Sequence, residues 1–157
     1  MVIAINGIPV LTMELKNPLT GQTVANAKGQ YRKDRDSREI LFEFKRRSLV
    51  HFAVDTEEAW MTTRLAGDST HFLPFNKGFN HCAGNPPDQQ GRSYRTAYLW
   101  EEVLQRDSLL DLLARFLHVQ VEEKRDEDGR KYKKESLIFP RYHQLQAVRR
   151  LVDAARS

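Results

Sequence analysis

The chain has 157 residues, 40% hydrophobic and 29% charged, which is ordinary usage for one soluble globular domain with a real core. Its formal charge of +4 permits an acidic partner such as nucleic acid without requiring one. A single cysteine, Cys82, excludes an intramolecular disulfide and fits a reducing cytoplasm, no apolar run approaches the ~20 residues of a membrane span, and nothing at the start reads as a signal peptide.

The chain opens on β-type residues, 2–5 and 10–15, separated by Asn6-Gly7. Asn-Gly is the favoured pair for a tight hairpin turn, so the two runs read as a β-hairpin whose second strand ends at Lys16. Asn17-Pro18-Leu19-Thr20-Gly21 supplies turn chemistry. A helix is predicted over 23–35, with Gly29 as its weak point. Two further strands follow, 49–54 and 59–65, around the turn at 55–58. Residues 67–95 are rich in Gly, Pro and Asn and read as a long excursion.

Residues 98–117 turn helical, as one or two helices, with Ser108 resembling an N-cap and Asp111 a first-turn acid. Residues 122–135 carry six acids and six bases with one Gly, the pattern of a solvated linker or a hairpin tip. An amphipathic helix closes the chain over 142–155, with Leu145, Val148, Leu151 and Val152 on one side. The order strand, strand, helix, strand, strand predicts an α/β core with mixed strand pairing and a helical last third.

Glu14 and Lys16 lie two apart near the end of the second strand and therefore share a face. A divalent metal that assists phosphodiester cleavage takes carboxylate oxygens and gains from a nearby cation. A bare Glu-x-Lys is also a common solvent-facing pair, so the tripeptide alone leaves both readings open. No second acid precedes it on the first strand; Asp34, Asp36 and Glu43 are the nearest alternatives. Residues 28–47 hold eight bases against four acids, either a phosphate-binding patch or a solvated face. His51 sits in an apolar run and reads as a packed histidine. His81-Cys82 lacks partners at zinc spacing. Trp60 and Trp100 read as core. No G-x-x-x-x-G-K-[ST] loop for ATP phosphates occurs.

The run INGIPVLTMELKNPLTGQTVANAKGQYRKDR resembles the nuclease motif of the restriction subunit of Type I restriction–modification enzymes, a PD-(D/E)xK-superfamily segment. The likeness continues through LFEFKRRSLVHFAVD, AWMTTRLAG, FLPFNKG, AGNPP, TAYLWEEVLQRDSLLDLLARF and IFPRYHQLQAVRRLV, nearly the whole chain. It implies Glu14 as metal-binding carboxylate, Lys16 as catalytic lysine and Gln30 as the glutamine of a Q-x-x-x-Y helix motif. The tyrosine position of that motif falls on Asp34, with Tyr31 out of register. Lys28, Arg32, Lys33 and Arg35 are the expected DNA contacts. The segment from Phe139 to Gln144 resembles the element ahead of the first helicase motif, which places Arg141 and Gln144 beside ATP in the intact subunit.

The family's first metal-binding Asp would stand immediately before Met1, so the resemblance implies a PD-(D/E)xK restriction-endonuclease-like core that is N-terminally truncated. Residues 1–120 would be the nuclease domain, and 121–157 a charged linker and helix leading into a helicase domain. It further implies Mg²⁺-dependent double-strand cleavage coupled to ATP-driven translocation. The partners would be double-stranded DNA and the modification and specificity subunits, in the cytoplasm. With one carboxylate, the chain by itself is expected not to cut. A non-catalytic DNA- or subunit-binding module is the alternative, and a remnant with neither activity the third reading.

Overall fold

The structure, a computed structural model, describes residues 1–88, 91 and 93–156; the rest of the 67–95 excursion lies outside the described residues. At Asn6-Gly7 the chain makes the hairpin its sequence predicts. Both residues take positive φ, 49° and 79°, as a two-residue turn of this twist requires. β1 (Val2–Ile5) and β2 (Ile8–Leu15) run antiparallel on either side. β2 starts earlier than expected, because Ile8 and Pro9 pair with Ile5 and Ala4. The register shifts between Ile3 and Ala4, which leaves Val10 as the extra residue of a bulge. Pro9, with no N–H for a ladder, sits at that irregularity. A Cβ on Gly7 would meet nothing within 4 Å, so alanine there costs only backbone strain. Gly7→Ala is expected to lose about 1 kcal/mol, read as a lower urea midpoint at unchanged slope.

After a 3₁₀ turn at Pro18–Thr20, α1 spans Val24–Lys33, slightly shorter than expected. Asp55 anchors its start: Val24 N–H donates to Asp55 Oδ2 at 2.8 Å, while Oδ1 accepts from the amides of Glu57 and Glu58. The α1 crossover returns the chain to β3 (Val50–Val54), parallel to β2. β3 is buried along its whole length, which explains a run that is apolar apart from His51. β4 (Ala59–Thr62) ends before the predicted 65, and a two-residue β5 (Leu73–Pro74) emerges from the excursion. The sheet is mixed, in the order β1-β2-β3-β4-β5.

Side chains alternate across it. Leu11, Met13, Val50, Phe52 and Val54 face a core completed by Phe75, Tyr98, Leu99, Phe139 and Leu145 from the later part of the chain. Phe52 and Phe75 meet edge to face, centroids 5.2 Å apart. On the other face, Ala27 and Tyr31 of α1 pack with Phe42, Ala53, Leu65 and Phe72.

The region 98–117 consists of a π-helical turn (Leu99–Val103), α2 (Arg106–Asp111) and a second π turn (Leu112–Phe116). Ser108 is not a cap. It lies inside α2, and its hydroxyl donates to Val103 O at 2.9 Å. The charged stretch forms a hairpin, β6 (His118–Arg125) with β7 (Lys131–Ile138), tied back where Thr63 Oγ1 donates to Leu137 O at 2.8 Å. α3 (Tyr142–Arg156) buries only its first turn, through Tyr142 and Leu145. Val148 and Val152 are exposed and Leu151 is 70% exposed, so the predicted apolar stripe is mostly uncovered. Among the described residues no helix is long and apolar enough to cross a membrane.

Candidate functional site

The α1 face of β2 carries Thr12 and Glu14, since Leu11 and Met13 point into the opposite core. Above it, Ala27, Tyr31 and Arg35 recur at fourfold spacing, so they form one stripe of α1 and its C-terminal continuation. The two patterns interlock. Thr12 Oγ1 lies 2.8 Å from Tyr31 Oη and 2.7 Å from His51 Nδ1, with all three residues buried. Burial pushes the Tyr31 phenol well above its usual value and pulls His51 down to about 4. His51 is thus the packed, neutral histidine that its apolar run suggests.

One step along the same stripe, Arg35 reaches Glu14. Its Nε donates to Glu14 Oε1 at 2.9 Å, and Nη2 donates to the same oxygen. The bond to Glu14 holds the guanidinium above its ordinary range. Lys16 follows β2, its amide donating to Val54 O at 2.8 Å. It lines a depression of about 280 Å³ with Leu15, Tyr94, Thr96 and Trp100, beyond the ends of β2 and β3. Among the described residues Lys16 makes no ion pair; Glu14 has Arg35 instead. Gln30, half-buried on α1, carries a buried Oε1 without a hydrogen-bond partner.

The basic residues of α1 are largely engaged within the fold. Lys28 Nζ lies 3.1 Å from the Trp60 ring centroid. Burial there lowers its pKa to about 8, against the opposing pull of Glu58. Arg32 donates from Nε and Nη2 to Thr70 O at 3.3 and 3.1 Å. Lys33 is exposed. Far from this site, Gln144 Oε1 accepts the Arg141 amide at 2.9 Å, the side-chain half of a capping box for α3.

The resemblance to a metal-dependent nuclease implies Mg²⁺, and Glu14 is the carboxylate that would meet it. Arg35 already lies on that carboxylate. Among the described residues no group of three or more His, Cys, Asp or Glu side chains could hold a metal ion. A hard dication takes several oxygen ligands, so these residues alone do not fit it.

Missing from the sequence reading were the Thr12–Tyr31–His51 network and the Arg35–Glu14 pair. The signals were the twofold spacing of Thr12 and Glu14 and the fourfold spacing of Tyr31 and Arg35. They become informative only once β2 and α1 are known to face each other.

Residues 1–70, which hold β1 to β4 with Glu14, Lys16 and Gln30, match the family model of the Type I restriction enzyme R protein N terminus. No curated protein and no solved structure matches the chain.

Proposed function

We propose that this chain is the nuclease-side part of a Type I restriction enzyme R subunit, with Glu14 and Lys16 as half of a DNA cleavage site on a PD-(D/E)xK-type core. The match of residues 1–70 supports the family. The register of β1 against β2 supports the site. Met1 and Met13 exchange both backbone bonds, at 2.8 and 2.9 Å. The next pair along an antiparallel ladder is a non-hydrogen-bonded one, whose side chains share a face at close range. Glu14 occupies one side of that pair, and the other side lies ahead of Met1. A carboxylate placed there would stand against Glu14 on the α1 face.

In the intact subunit, double-strand cleavage would depend on Mg²⁺ and follow ATP-driven translocation, with Arg141 and Gln144 leading into the motor. Double-stranded DNA and the modification and specificity subunits would be the partners. On this reading Glu14 alone does not hold the metal, and residues 1–157 are expected not to cut. Incubated with supercoiled plasmid and Mg²⁺ or Mn²⁺, the chain is expected to leave the plasmid intact; nicking that disappears in Glu14→Ala would contradict this. The second reading, a non-catalytic DNA- or subunit-binding module, is favoured by the Arg35–Glu14 pair, which neutralises the carboxylate. A steep salt dependence of DNA binding, with no dependence on metal, would support it.

A further inference from the structure

We propose that Arg35 is a phosphate ligand held in reserve by Glu14: the carboxylate occupies its guanidinium in the free chain and yields it to a DNA backbone phosphate. The proposal rests on the DNA-binding part of the reading above. Its basis is the way the pair is made. Nε and Nη2 form the edge of guanidinium that grips two oxygens of a carboxylate or phosphate in parallel. Here both donors converge on one oxygen, Glu14 Oε1, so that two-point match is unused. A phosphate presenting two oxygens satisfies the same edge more fully.

Access is open. The Arg35 side chain is 36% exposed against 17% for Glu14, so the guanidinium lies on the solvent side of the pair. It also lines an open depression of about 390 Å³ with Arg32, Lys33 and Ser37, together with Asp34, Asp36 and Glu39. Arg32 is held by the Thr70 carbonyl, and Asp36 is held by Arg38 at 2.8 to 3.1 Å. A partly exposed ion pair contributes little in water, so exchanging one anion for another on Arg35 is inexpensive. The exchange leaves the Glu14 carboxylate open to another cation. By linkage, any cation that takes Glu14 then strengthens the grip of Arg35 on phosphate.

The test is a double-mutant cycle on binding of a short duplex, followed by fluorescence anisotropy in EDTA across a salt series. Glu14→Gln is expected to bind about tenfold more tightly at low salt. Its salt slope steepens by about 0.9, the value of one more neutralised phosphate. In Arg35→Gln the same Glu14→Gln change gives no gain. Simple removal of a negative charge would instead help equally in both backgrounds. A gain that survives Arg35→Gln, no gain in Glu14→Gln, or no duplex binding by any of the four chains overturns the proposal. The unaltered chain supplies a second measurement: the Arg35 Nε–H NMR signal moves when duplex is added, and a signal that stays in place also overturns it. No metal or cleavage enters either assay, so a chain that never cuts DNA still shows the Arg35-dependent gain if the proposal holds.

Discussion

Between pH 6.5 and pH 4 the folded chain is expected to lose about 3 kcal/mol of stability through His51 alone. The imidazole is buried between β2, α1 and the Phe42 ring, with Nδ1 on Thr12 Oγ1. Its surroundings supply the Tyr31 phenol and the Thr12 hydroxyl but no carboxylate within bonding distance among the described residues. Burial therefore disfavours the cation and lowers the folded-state pKa from 6.5 to about 4. In that window the unfolded chain binds a proton that the folded chain refuses. Stability is complete above pH 6.5, falls by about 1.4 kcal/mol per unit as the pH drops, and levels off below 4. His51→Gln removes the titrating group. Urea titrations across the range should show its slope shallower by one proton, whatever its absolute stability. Equal slopes in the two proteins would contradict the account.

The larger effect is expected at the hairpin. One aspartate added ahead of Met1, behind a new initiator methionine, extends β1 by the position opposite Glu14. The Met1–Met13 pair fixes the register on one side, and the parallel pairing of β2 with β3 fixes it on the other. The added carboxylate thus faces Glu14 with Cα atoms about 4.5 Å apart on the α1 side. Two carboxylates supply the oxygen donors that a hard dication needs and that Glu14 alone lacks. In that extended chain, removing Glu14 or Lys16 should lower cleavage by roughly 10²–10³-fold, the scale for losing one group that stabilises developing charge.

Much of this arrangement is legible in the sequence. Asn6-Gly7 declares the hairpin because few other residue pairs tolerate its two positive φ angles. The buried run at Val50–Val54 declares a central strand. What the sequence does not declare is set by tertiary contact. Lys28, Arg32 and Arg35 read equally as a phosphate-binding patch or a solvated face until Trp60, Thr70 and Glu14 come up against them. Gln144 looks like a ligand-binding side chain, and its nearest use is to cap α3. Ser108 has the residue type of a cap, yet the helix starts at Arg106 and the hydroxyl finds a carbonyl inside it. The α3 stripe reads as core by its spacing, but only its first turn meets the sheet.

Glu14 and Lys16 are proposed as half of a cleavage site whose other half enters from β1. Nicking of supercoiled plasmid by the aspartate-extended chain with Mg²⁺, run beside the unextended chain and the extended Glu14→Ala and Lys16→Ala variants, tests it most directly. Metal-dependent nicking is expected from the extended chain only, lost in both variants. A folded extended chain that leaves the plasmid intact, or one whose nicking survives Glu14→Ala, would contradict it.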